Sequence, residues 1–290
     1  MRAYPAVKKK TVLVTGAGGG IGRAATKALA AAGWRVFPAA RSRGDLDALR
    51  AEGFDPIRLD VSDAASLASA VGEVLSLAPE GLGALVNNAG YGVPGAVEDL
   101  PRAAWREQFE TNVFGAFDLA RRFAGPFRRQ GFGRIVFVSS VVARVSVPFL
   151  GVYAASKAAM EAGADAMRAE LAAGGVAVSL VEPGPIATGF RRRCVREGRA
   201  ALATEESVFR AQYAKELASE VRTFKRPTDV FRAGPEAVAK AIVHALEAKR
   251  PRIRYPVTGA AWLGVLADSF VPAWVIDRLM EKKVIAAARG

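Results

Sequence analysis

Short β-branched runs recur along the chain, and most of them open into a glycine, asparagine or proline turn before a longer stretch with apolar residues at helical spacing. Residues 11–15, 35–40, 57–61, 82–86, 134–139 and 176–181 read as strands, and 250–255 as a short last one. The spacing predicts helices over 23–32, 67–77, 106–122, the segment carrying Tyr153, and 235–249. Regular alternation of strand and helix predicts an α/β fold, a doubly wound sheet of about seven parallel strands with helices on both faces. No internal repeat or low-complexity linker interrupts the order, so residues 1–256 read as one domain, with 190–227 as a lid inside it. Residues 257–290 form a helical extension rich in Trp262, Leu263, Leu266, Phe270, Trp274, Val275, Ile276 and Leu279. Closing a greasy pocket, packing a dimer and resting on a membrane interface all suit such an extension, and the sequence leaves the three open.

Composition narrows the chemistry. At 290 residues, 51% hydrophobic and 24% charged, the chain has ample material for a buried core. Its one cysteine, Cys194, excludes an intramolecular disulfide, and a lone His244 with that single thiol leaves no set of metal ligands; no metal is expected. The formal charge of +13 suits an anionic partner, yet the arginines are dispersed and no nucleic-acid motif accompanies them, so nucleic acid is not expected. The basic stretch 1–10 is followed by an apolar run that Thr15 and Gly16 break, too short for a signal peptide. The most apolar later stretch, 259–276, contains Asp268 and Pro272; a cytoplasmic protein is expected, with no more than peripheral membrane contact.

Three stretches carry candidate chemistry. After the first strand come Thr15, Gly16, Ala17, Gly18, Gly19, Gly20, Ile21 and Gly22, and then a helix. Glycines let a backbone approach a pyrophosphate, and a helix N-terminus offers free N–H groups to it. The second strand ends at Ala40 and Arg41, with Arg43 beyond. Dinucleotide folds place an acid there for an adenosine ribose, or an arginine for a 2′-phosphate, so this end favours NADP(H) over NAD(H). Tyr153 and Lys157, four apart on a predicted helix, share a face, and a nearby ammonium is expected to draw a phenol's pKa down toward general acid/base use.

Taken together these stretches resemble the short-chain dehydrogenase/reductase family over about residues 11–255, in the pattern Thr15-Gly16-x-x-x-Gly20-x-Gly22, Asn87-Asn88-Ala89-Gly90, and Tyr153-x-x-x-Lys157. The apolar extension and residues 250–255 loosely resemble the retinol and hydroxysteroid dehydrogenase branch. The resemblance implies a catalytic set of Asn112, Ser140, Tyr153 and Lys157, Ser140 being chosen over Ser139 because it stands thirteen residues before the tyrosine. It also implies that Asp60 and Val61 border the adenine, that Asn88, Ala89 and Gly90 line the cofactor, and that Lys157 and Tyr153 approach the nicotinamide ribose. Pro183, Gly184 and Ile186 would meet the nicotinamide and Thr188 the diphosphate. Asn112, a poor helix-interior residue, would mark a helix irregularity and hold a proton-relay water.

The function this implies is hydride transfer between NADPH and a carbonyl or alcohol of a lipophilic small molecule, in a dimer or tetramer. Two alternatives stay open: a 3-oxoacyl thioester reductase working on an acidic carrier, and an NADP-binding regulatory protein without turnover. Arg191, Arg192 and Arg193 read as solvated lid charges, and Cys194 as an inert thiol.

Overall fold

In a computed structural model, which describes residues 2–198, 207–218 and 232–288, β1 (Thr11–Thr15) is an interior strand of the sheet. Its odd and even side chains serve two different cores. Val12 and Val14 face α1 (Gly20–Ala31) and α9 (Pro235–Glu247), where Leu29, Val238, Ile242 and Leu246 are buried. Leu13 faces α3 (Ala64–Leu77), α5 (Gly115–Gln130) and α6 (Gly151–Ala172), against Val74, Leu119, Phe123, Phe127 and Met160. Period-two alternation with both faces apolar is what a parallel strand covered on two sides requires. Each fully buried Leu or Phe of these cores contributes about 1.5–3 kcal/mol of transfer free energy.

Around β1 run β2 (Arg35–Ala40), β3 (Ile57–Arg58), β4 (Ala84–Asn87), β5 (Gly133–Val138), β6 (Val176–Pro183) and β7 (Arg254–Val257). They form a seven-stranded parallel sheet in the order β3-β2-β1-β4-β5-β6-β7. The order reverses between β1 and β4, opening a crevice at the strands' C-terminal ends where open α/β sheets bind ligands. The remaining helices are α2 (Arg43–Ala51), α4 (Arg102–Phe109), α7 (Phe190–Gly198), α8 (Arg210–Ala218), α10 (Gly259–Phe270) and α11 (Ala273–Ala288). The predicted helix over 106–122 is α4 and α5 joined through a π-helical segment, Glu110–Phe114.

The extension is two helices. α10 packs on β7, and its Gly264 lies against the Val141 side chain, next to Ser140. α11 packs on α8. Trp262, Leu263, Phe270 and Trp274 stay exposed, Phe270 to 80%. No described helix is long and apolar enough to cross a membrane. His244, on α9, bonds the Tyr255 hydroxyl (2.9 Å) and so has its partner on the α9 side of the sheet.

Candidate active site

The crevice begins where β1 ends. The Thr15 hydroxyl accepts from the N–H groups of Asn88 (3.0 Å) and Ala89 (2.9 Å), and the Asn88 amide donates back to the Thr15 carbonyl (2.9 Å). The loops after β1 and β4 are thereby one unit. Gly16 and Gly20 have φ of +67° and +53°, which a side chain strains, and Gly22 packs so closely on the Gly16 carbonyl that no Cβ fits. α1 starts at Gly20 with extended Gly19 before it and no side chain capping its first N–H groups. Thr188 lies against Gly20, and Ile21 packs beside the α9 core. Uncapped amides, bare glycines and a threonine hydroxyl fit a pyrophosphate. Gly22→Ala is expected to cost about 1–3 kcal/mol of stability, lowering the melting midpoint, and to abolish dinucleotide binding, read by quenching of protein fluorescence.

β2 finishes at buried Ala40. Arg41 pairs across with Asp60 at 3.7 Å, whereas Arg43 runs along α2 to Asp47 at 3.9 Å. Asp60 also accepts from the Ser62 N–H (3.0 Å), a local turn, and the cap of α3 is Asp63. Val61 is buried with its carbonyl against Gly115. The sequence reading misses Asp45. Ser42 caps α2 through the Asp45 N–H (3.1 Å) and donates to the Asp45 carboxylate (2.6 Å), which rests directly on Gly18. A Ser-x-x-Asp at a helix start is the signal that would have found it.

Beyond β5 the chain turns at Ser140, whose hydroxyl caps a single 3₁₀ turn, Val141–Ala143, and lies near the Tyr153 phenol. Tyr153 enters on the first turn of α6, and Lys157 follows one turn later on the same face, both buried. The Lys157 ammonium donates to the Val138 carbonyl at the end of β5 (2.8 Å) and lies 5.8 Å from the Tyr153 ring centre. Asn112 sits inside the π segment, the helix irregularity that the resemblance implies. Its amide donates to the Tyr91 carbonyl (2.9 Å) and the Ser156 hydroxyl (3.0 Å), and its carbonyl oxygen accepts from the Tyr91 N–H (3.1 Å). Gln108, buried and unremarked in the sequence, makes the companion bonds to Tyr91 and Val93. Gly90 lies between Asn112 and Lys157: a Cβ there would meet the first at 2.9 Å and the second at 3.6 Å.

The electrostatics depart from the expectation that Lys157 lowers the pKa of Tyr153. Burial wins and pushes the phenol well above its ordinary value, opposed by the nearby Ser140 hydroxyl. Burial likewise pushes Lys157 down to about 8, opposed by the carboxylate of Glu161. A phenol that keeps its proton at neutral pH is suited to giving it away.

Over this group lies the start of the segment expected to be a lid. Pro183 ends β6, Gly184 packs against α10, and Ile186 bridges to Ala233. The Phe190 ring stands 5.6 Å from that of Tyr153, and the buried Cys194 thiol accepts from the Gly92 N–H (3.3 Å). Arg192 and Arg193 are exposed, as their reading as solvated charges expects. α8 is held by the Tyr213 hydroxyl, which bonds Asp99 and accepts from the Ala96 N–H (2.8 Å). Residues 199–206 and 219–227 of the expected lid lie outside the described residues.

This architecture has many counterparts. A sequence profile for short chain dehydrogenases matches residues 10–199. The chain is 34% identical to the uncharacterized oxidoreductase YbbO of Escherichia coli, over 95% of each chain. It is 32% identical to human retinol dehydrogenase 16, over 94% of this chain and 88% of the other. A short-chain dehydrogenase/reductase of Burkholderia phymatum, solved in complex with NAD, superposes with a TM-score of 0.73 at 30% identity, covering 91% of this chain and 92% of that one. Matched in profile, in full-length relatives and in the seven-stranded sheet, the chain belongs to the short-chain dehydrogenase family of oxidoreductases, which bind nicotinamide cofactors and act on CH–OH and C=O groups.

Proposed function

We propose that the protein is an NADP(H)-dependent reductase of lipophilic carbonyl compounds, with Ser140, Tyr153, Lys157 and Asn112 as its catalytic set. The observation that carries this reading is the apolar Phe190 ring set 5.6 Å from the buried Tyr153 phenol, which lies near Ser140 and one turn from Lys157 on α6. When bound, NADPH supplies the hydride. Ser140 and Tyr153 hold the carbonyl oxygen by hydrogen bonds, and Tyr153 gives that oxygen its proton. Lys157 balances the phenolate charge so formed and binds the nicotinamide ribose. Asn112, fixed in the π segment, anchors the water that returns a proton toward Lys157. Exposed aromatic residues on α10 and α11 beside the lid suit a substrate with a long or polycyclic apolar body.

Arg41 supports NADP(H), since a guanidinium at the end of β2 matches a 2′-phosphate. NAD(H) is the second reading, favoured by Asp45, whose carboxylate against Gly18 is the kind of group that binds a ribose hydroxyl. Arg41→Ala separates them. With NADP(H) as cofactor, losing a charge-assisted hydrogen bond raises the NADPH dissociation constant roughly 10–100-fold and leaves that for NADH unchanged. Equal small effects on both dissociation constants refute the assignment.

The function itself is tested by NADPH and NADH oxidation with decanal, a retinoid aldehyde, a steroid ketone and an acetoacetyl thioester. Turnover of the bulky apolar carbonyls with NADPH is the expected result. Turnover of the thioester alone refutes the lipophilic assignment, and tight NADPH binding without any turnover refutes the enzyme.

A further inference from the structure

Beneath Lys157, one turn further along α6, lies Glu161, 5% exposed and uninvolved in the reaction as described so far. It belongs to the densest charge cluster among the described residues. One of its oxygens accepts from the Ser139 hydroxyl at 2.7 Å. The other accepts from Arg254 of β7 at 2.5 Å and lies 3.2 Å from the Arg144 guanidinium. Arg254 also donates to Glu182 of β6 (2.6 Å) and to Asp165 of α6 (2.5 Å). Arg144 reaches Glu182 at 3.6 Å and Asp268 of α10 at 3.4 Å.

Those contacts are costly to assemble for stability alone. A buried ion cluster of this kind gains little over apolar packing, so its presence against an active site asks for another reason. Two consequences follow from the geometry. Ser139 precedes the catalytic serine, so the bond from Glu161 ties the end of β5 to the helix bearing Tyr153 and Lys157. At i and i+4 on one face, the Glu161 carboxylate is also an anionic neighbour of an ammonium otherwise surrounded by protein. Without it, burial favours the neutral amine.

We propose that Glu161 is a positioning residue of the active site: clamped by Arg144 and Arg254, its carboxylate keeps Lys157 in the charged form and fixes the end of β5 against α6. The charged groups around it are Arg144 after β5 and Arg254 on β7, which contact it directly, Lys157 one turn back and Glu182 on β6, which act on it through space, and Asp165 and Asp268, which act through Arg254 and Arg144. Burial raises the carboxyl's own pKa, and the bonds from Ser139 and Arg254 oppose that rise.

This inference rests on Lys157 being catalytic, and the experiment keeps the two apart. Unfolding free energies of the wild type and Lys157→Met are compared in urea from about pH 6 to about pH 11, a range that spans the lysine's titration. The pH at which their difference begins to close reports the Lys157 pKa in the folded chain, with no substrate present. In the Glu161→Gln background, which keeps the side chain's shape and a partner for Ser139, closure is expected lower by about half to one pH unit. In the Arg144→Gln background, where a cation opposing Glu161 is gone, it is expected higher. Glu161→Asp, which restores the charge, is expected to return it toward the wild-type value.

The alkaline limb of NADPH oxidation with decanal is expected to move in the same directions. A closure pH unmoved by Glu161→Gln overturns the proposal, and if that variant does not fold, an unmoved or lowered closure pH in Arg144→Gln overturns it instead. A closure pH that moves while Lys157→Met still oxidises NADPH with decanal refutes the catalytic reading of Lys157 and leaves only the electrostatic link.

Discussion

Tyr153→Phe is expected to lower carbonyl turnover by about 10²–10⁴-fold, the range over which a positioned general acid acts, while the protein folds and binds NADPH as before. Each part of that expectation has its own ground. The phenol hydroxyl is the group that stands with Ser140 in the crevice, protonated at neutral pH as an ordinary phenol is and held more firmly so by burial. The ring itself packs with Val142 and Ala154 and faces Phe190, and phenylalanine preserves all of that. The glycine loop proposed to receive the cofactor is built from the ends of β1 and β4, and its bonds run between Thr15 and Asn88–Ala89 rather than through Tyr153. Single-turnover measurement of NADPH oxidation, beside a fluorescence titration of NADPH, checks both halves. Retained turnover removes Tyr153 from the chemistry, and lost NADPH binding shows that the hydroxyl serves the fold of the crevice instead.

Much of the molecule was legible in the sequence because its determinants are local. A β-branched run, a glycine turn and an alanine-rich stretch specify β1, the loop and α1 with contacts a few residues apart, and the same grammar recurs through β6. Boundaries shifted where tertiary pairing decides them: β3 is only Ile57–Arg58, and β6 continues to Pro183 because β7 pairs alongside Glu182 and Pro183. The π segment was visible only as an asparagine out of place. Its backbone slips because Gln108 and Asn112 both bond the 91–93 loop, partners fifteen to twenty-one residues away. Asp45 escaped notice because its significance is its contact with Gly18, and Glu161 because its partners Ser139, Arg144 and Arg254 come from after β5 and from β7. The phenol's pKa was misjudged for a related reason. Sequence spacing shows a cation one turn away but not the depth of burial, and burial is the larger effect here.

The depth of that burial makes Lys157 a liability to the fold, and Lys157→Met is expected to lose turnover while gaining stability. Lys157 has a folded pKa of about 8 against 10.5 for an ordinary lysine. The sign follows from proton counting. Below about pH 8 the folded and unfolded chains both hold the proton, and the full cost of burying the charge is present. Between about 8 and 10.5 the unfolded chain binds more protons than the folded one, so wild-type stability rises with pH through this window and the cost is relieved. Methionine matches the aliphatic stem and carries no charge, so near neutral pH the variant gains about 1–3 kcal/mol, after allowing for the donor that the Val138 carbonyl loses. The advantage shrinks as pH approaches the unfolded lysine's pKa. Urea unfolding at pH 7 and at about pH 10.5 checks this. A variant less stable than wild type at pH 7 would mean that Glu161 and the Val138 carbonyl more than offset the burial of the ammonium, and that the site is built around the charge at no cost to the fold.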